Sequence, residues 1–195
     1  MSMILENSAY AQKAMTLFKE GYNCAQAVFL AFEDLYQIDR KTAIRLSSSF
    51  GGGMGRLREV CGAVSGMFMV TGILYGYDDM EDAKAKADHY ERIQYLAKEF
   101  ESVNGSIICR VLLGLGEGSD VPIPEKRTEG YYKKRPCVEL VGTAAAILEQ
   151  YINDEIDETL QDYDLEPLER NHIFNLIQNE INGYGPLTDL LENDF

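Results

Sequence analysis

Four cysteines, Cys24, Cys61, Cys109 and Cys137, are the residues of this chain best suited to chemistry. Their separations of 37, 48 and 28 residues leave no local Cys-x-x-Cys pair. Each falls near the expected start of a helix, where unpaired backbone N–H groups and the positive end of the helix dipole favour an anion, thiolate included. Thiols placed in this way point to one site assembled by the fold, with redox or metal chemistry as its purpose. Four thiolates suit a tetrahedral zinc ion or an iron–sulfur cluster. A [2Fe–2S] core with both irons ferric and four thiolate ligands carries about two negative charges, which converging helix starts hold well. A pair of the same thiols can instead cycle between dithiol and disulfide. The bland use of each is as a small buried hydrophobe.

Other chemistry finds little support. His89 and His172 are the only histidines, so neither a Ser/His/Asp hydrolase nor a His-rich metal site is expected, and no catalytic residue is singled out. His89, among charged neighbours, reads as solvent-facing. No Glu-x-x-His pair on an inward face suggests a di-iron carboxylate bundle. The run Gly51-Gly52-Gly53-Met54-Gly55 lacks the Gly-Lys-Ser/Thr ending of a phosphate loop. It comes shortly before Cys61 and can wrap a site, with N–H donors for ligand sulfurs, or serve only as a helix connection. Tyr131 and Tyr132 precede Cys137 and can cover it. Lys133, Lys134 and Arg135 can lower its thiol pKa, although a solvated charge run explains them as well.

The elements that position these residues are helical almost throughout. Tyr10, Ala14, Leu17 and Phe18 form one apolar stripe, Gly21 ends that helix, and Asn23 caps a second running from Cys24 to about Tyr36. Asp39 opens a third, over about 40–48. A fourth is expected from about Glu59 to Leu74, and a fifth from about Met80 to Ser102, with Met80, Ala83, Ala87, Tyr90, Ile93, Ala97 and Phe100 as its inward stripe. A short helix follows from near Ser106, then a long loop over 116–136. Pro136 sets the first turn of a last helix through Tyr151. No strand alternation is visible. The expected class is all-α: a compact bundle of about six to seven helices with a short helical C-terminal appendage. Gly62 and Gly66, four apart, let a neighbouring helix approach closely, in core packing or in a homodimer.

Composition narrows the partners. The 195 residues are 46% hydrophobic, enough for one real core, and carry a formal charge of −14. That charge argues against nucleic acid and anionic membrane surfaces. The acidity concentrates beyond residue 153, where Arg170 is the single Lys or Arg. We therefore expect a four-cysteine helical domain over 1–152 and an acidic helical tail over 153–195. The uncharged run from Val60 to Tyr77 is interrupted by four glycines and reads as a buried helix, not a membrane span. Residues Met1 to Glu6 show no basic or apolar leader pattern, so a cytoplasmic location with reduced thiols is expected.

Two resemblances add to this. Cys61-Gly62-Ala63-Val64-Ser65-Gly66 matches a Cys-Gly-Ala-x-x-Gly motif, with Asn23-Cys24-Ala25-Gln26 upstream, Gly51–Arg56 just before it, and Cys109 and Cys137 after. Residues 5–152 thereby resemble the four-cysteine C_GCAxxG_C_C family of bacteria and archaea, described as redox-active. A related module is joined to a haem domain in a split-Soret type cytochrome with an inferred iron–sulfur cluster. The resemblance implies that Cys24, Cys61, Cys109 and Cys137 are the redox or metal ligands; the chain has no Cys-x-x-Cys-His for covalent haem. The stretch from Arg170 to Leu191, with Glu180-Ile-Asn-Gly-Tyr-Gly-Pro-Leu187, resembles the entry segment of CpaF-type secretion ATPases, without a P-loop after it.

The expected function is electron transfer or redox sensing through an iron–sulfur cluster, [2Fe–2S] by preference, with zinc or no metal as alternatives. The site residues would be the four cysteines, supported by Gly51, Gly52, Gly53, Gly62 and Gly66. A thiol–disulfide oxidoreductase and a non-catalytic interaction protein with inert cysteines are the other two readings. The residues name no redox partner protein.

Overall fold

The computed structural model of the chain describes residues 5, 7–118 and 120–161. Eight helices carry the fold among them: α1 (Ala9–Lys19), α2 (Cys24–Ala31), α3 (Arg40–Ser48), α4 (Gly62–Tyr75), α5 (Ala83–Asn104), α6 (Cys109–Leu112), α7 (Glu129–Lys134) and α8 (Cys137–Gln161). No strand is formed among the described residues; a single antiparallel bridge joins Val60 to Ile108. The class is all-α; α6 is the short helix expected after α5, and α7 is the one the sequence reading did not expect.

Side-chain caps define the helix starts. Ser8 accepts the N–H of Ala11 for α1, Asp39 that of Thr42 for α3, and Asp82 that of Ala85 for α5. Gly105, at φ +82°, ends α5. The core forms where α1 lies along α8 and α2 along α4. Phe18, Phe29, Phe32, Met67, Leu148 and Ile156 are wholly or almost wholly excluded from solvent there. Each such side chain contributes about 1.5–3 kcal/mol by leaving water.

Several boundaries differ from the sequence reading. Helix α2 stops at Ala31, and Glu33–Leu35 form a 3₁₀ turn instead of running on to Tyr36. The turn lets Tyr36 stack on Phe29 at 4.8 Å and donate its hydroxyl to the Phe29 carbonyl. Helix α4 starts at Gly62, since Val60 and Cys61 are taken up by the bridge to the 107–108 segment. The inward face of α5 is centred on Leu96 and Phe100; Met80 is 74% exposed, and Tyr90 51%. His89 is half-buried, its ring Nδ1 within 3.1 Å of the Tyr75 carbonyl, and is not solvent-facing. The 116–136 loop contains α7, capped by Thr128. Helix α8 runs through residue 152 without a break, and Ile156 is buried in the common core. The segment that resembles the secretion ATPases lies outside the described residues. Among the described residues no helix is long and apolar enough to cross a membrane.

Candidate functional site

Local sequence sets each cysteine at a helix start. Asn23 and Gln26 form a capping box: the Asn23 side chain accepts the Gln26 N–H at 3.0 Å, and the Gln26 side chain accepts the Asn23 N–H at 2.9 Å. Cys24 is the first residue of α2 and is pinned by this box. Asn23 also donates to the Ser48 carbonyl at 3.0 Å, which ties the start of α2 to the end of α3. Cys137 opens α8 directly after Pro136, whose carbonyl accepts the N–H of Leu140.

Cys61 and Cys109 are placed by main chain. The Cys61 N–H donates to the Ile107 carbonyl at 2.8 Å, and the Cys109 N–H to the Glu59 carbonyl at 2.6 Å, either side of the Val60–Ile108 bridge. These bonds hold two thiols together although 48 residues separate them.

The glycines allow the approach. Gly53 has φ +69°, and a Cβ there would stand 2.6 Å from Cys109 Cβ and 3.0 Å from the Glu59 nitrogen. A Cβ on Gly62 would meet the Phe50 carbonyl at 2.9 Å and Cys24 Cβ at 3.0 Å; on Gly66, the Ala25 carbonyl at 2.7 Å. The neighbour that this glycine pair admits is α2 of the same chain. Around Gly52 and Gly53, Met54, Arg56 and Arg58 also take positive φ, of 58°, 71° and 66°. Such backbone costs about 1–3 kcal/mol per residue and persists only where its surroundings hold it.

All four cysteines line one cavity of about 280 Å³, together with Gly51, Gly52, Gly53 and Gly62. Cys61, Cys109 and Cys137 are buried and Cys24 partly so, and all are free thiols. The Cys24 thiol, followed by burial, pushes the Cys137 thiol far above its ordinary range. Burial pushes Cys61 up to about 12, against the N–H groups of Ala63 and Val64; the Cys109 and Cys137 charges push the same way as burial. Burial also raises Cys109, opposed by Arg58. The helix-start N–H groups and Arg135 therefore act in the direction the sequence suggested, but desolvation outweighs them. Lys133 and Lys134 are exposed.

Sequence reasoning missed Arg58 and Asp120. Arg58 is only 4% exposed, donates from Nε to Asp120 at 2.8 Å, and directs its NH1 at Cys109 Sγ, 3.7 Å away. A basic residue between the glycine run and the apolar stretch was the available signal. Arg56, Arg127, Arg135 and Tyr131 also line the cavity, so in an acidic chain its wall is rich in guanidinium. Among the described residues no group of three or more His, Cys, Asp or Glu side chains is spaced to hold a metal ion directly.

A family model described as "Putative redox-active protein (C_GCAxxG_C_C)" matches residues 22–151, a span that contains all four cysteines. The chain belongs to this family. No curated protein and no solved structure matches it. Family membership fixes the coarse statement: this is a four-cysteine protein of redox-active type. The cavity is the part of the fold that gathers those cysteines.

Proposed function

We propose that the chain is an electron-transfer or redox-sensing protein whose four cysteines hold an iron–sulfur cluster, [2Fe–2S] by preference. The observation that carries this is the shared cavity: four thiols, each from a helix start, face one space of about 280 Å³. That space is many times the share of one water, about 30 Å³. A single zinc ion needs its four sulfurs at about 2.3 Å from one point, and among the described residues no three His, Cys, Asp or Glu side chains are spaced to hold one ion directly. Sulfurs set around a space suit a group of several atoms better.

The donor set also fits in charge. The starts of α2, α4 and α8, with Arg58 and Arg135 beside Cys109 and Cys137, offset the negative charge of thiolates with a ferric core. When bound, the cluster supplies reversible one-electron chemistry. Cys24, Cys61, Cys109 and Cys137 hold it, Gly53 and Gly62 leave room for their approach, and burial of three of the four keeps water away.

A second reading has its own observation. Cys24 and Cys137 line the same cavity, and Cys24 is the largest influence on the Cys137 thiol. Oxidation of such a pair to a disulfide releases two electrons and two protons to a disulfide-bearing partner, which is reduced to two thiols.

Anaerobic purification with absorption spectra and iron and sulfide analysis separates the two. Sulfur-to-iron charge-transfer bands, with iron and acid-labile sulfide in equal amounts, are expected. A colourless, iron-free protein with one reversible disulfide would replace the cluster with the dithiol. Four unreactive thiols would defeat both.

A further inference from the structure

We propose that Arg58 is the positioning residue of this site: clamped by Asp120, its guanidinium holds Cys109 and raises the reduction potential of the group that the four sulfurs carry. The proposal rests on the cluster reading above and deepens it.

A guanidinium as buried as Arg58 persists only when paired and hydrogen-bonded. Its Nε and NH2 both donate to the same oxygen of Asp120, which leaves NH1 to reach Cys109 Sγ at 3.7 Å. Asp120 is fixed in turn. Arg56 donates to it at 3.3 Å and to the Val121 carbonyl at 2.7 Å, and the Asp120 N–H donates to the Arg56 carbonyl at 3.1 Å. Two guanidiniums thus share one carboxylate, and a net positive charge remains beside the sulfur.

Main chain sets the distance as firmly as the side chains do. The Arg110 N–H donates to the Arg58 carbonyl at 3.1 Å, and the neighbouring Cys109 N–H donates to the Glu59 carbonyl at 2.6 Å. Donor and sulfur therefore sit on one paired strip of backbone. The placement also answers a local need. Cys109 opens a helix of only 4 residues, whereas Cys137 opens one of 25, so the dipole at Cys109 is the weaker. Arg58 supplies the charge that this corner otherwise lacks.

The effect has a definite sign. Reduction adds one electron to the thiolate-held group, with no bond formed or broken. A fixed positive donor on a ligand sulfur stabilises the more negative, reduced form and raises the potential. Its removal favours the oxidised form.

The experiment is a dithionite titration, with mediators and absorption readout, of anaerobically purified full-length wild type, Arg58→Gln, Arg58→Met and Arg58→Lys, each assayed for iron and sulfide. Arg58→Gln retains all four cysteines. Its reduction equilibrium should fall about tenfold, a drop of about 59 mV for one electron, with a shift of its charge-transfer bands. Arg58→Met should fall in the same way, and Arg58→Lys, which keeps the charge, least. A loaded Arg58→Gln protein at the wild-type potential overturns this proposal alone. Should that variant fail to fold or load, Arg58→Met decides, and an unchanged potential there overturns it equally. A wild type free of iron and sulfide overturns the cluster reading, and this proposal with it.

Discussion

Where α1, α2, α4 and α8 meet, the chain buries Phe29, Phe32, Met67, Leu148 and Ile156 between regular helices. Around the cavity it buries thiols and the Arg58 guanidinium on backbone that turns left-handed at Gly52, Gly53, Met54, Gly55, Arg56 and Arg58. The first region rests on apolar area removed from water, which stabilises without direction. The second spends conformational freedom to aim particular atoms at one space. Stability and thiol placement are therefore separable, and substitutions should reveal this.

The largest effect on stability belongs to the interior. Phe100→Ala removes a fully buried ring and should cost about 3–5 kcal/mol in denaturant unfolding. Its thiols should react at the wild type's rate while the protein remains folded. A loss under about 1 kcal/mol would count against the division drawn here.

Gly53→Ala should cost less, about 1–3 kcal/mol, yet disturb the site more. Its Cβ collides with Cys109 Cβ, so alkylation mapped by mass spectrometry should find Cys109 modified severalfold faster. Unchanged reactivity would mean that the glycine turn does not place this thiol.

A matched pair of caps sharpens the contrast further. Asn23→Ala and Ser8→Ala each remove a side-chain cap and should each cost about 1 kcal/mol. Only Asn23→Ala lies at the cavity, so only it should speed alkylation of Cys24. Equal reactivity in the two variants would merge the regions again.

The smallest effect is that of pH on the start of α3. The Thr42 hydroxyl, and after it the Thr42 N–H, hold the Asp39 carboxylate below its ordinary value of 3.8. A depressed carboxylate stabilises the fold above the unfolded value, about 3.9, and that contribution fades as pH falls through the lower folded value. The Thr42 amide shift should accordingly titrate with a midpoint below 3.8. A midpoint above it would remove the cap.

The helix starts are legible in the sequence because their signals are local: Asn23 with Gln26, Asp39 before Arg40, Pro136 before Cys137. The all-α class follows from periodicity in the same way. The end of α2 is not legible, because the turn at Glu33–Leu35 answers to a stack between Phe29 and Tyr36 that no helical pattern announces. Nor is the start of α4, which yields Val60 to a segment 48 residues further on. The inward face of α5 was misjudged since alanines and tyrosines fit either side of a helix. Arg58 escaped notice for a deeper reason. A buried guanidinium resembles a surface one until Asp120 and Cys109 are known to stand beside it. Spacings of 37, 48 and 28 residues likewise say nothing of a common cavity.

The position of Cys137 at the head of α8, the last helix described, bears on the timing of biosynthesis. As the polypeptide leaves the ribosome, Cys24, Cys61 and Cys109 emerge first, and α8 must still dock against α1 before the fourth sulfur arrives. A nascent chain thus presents three of the four thiols first, and only the finished bundle brings the fourth to the cavity.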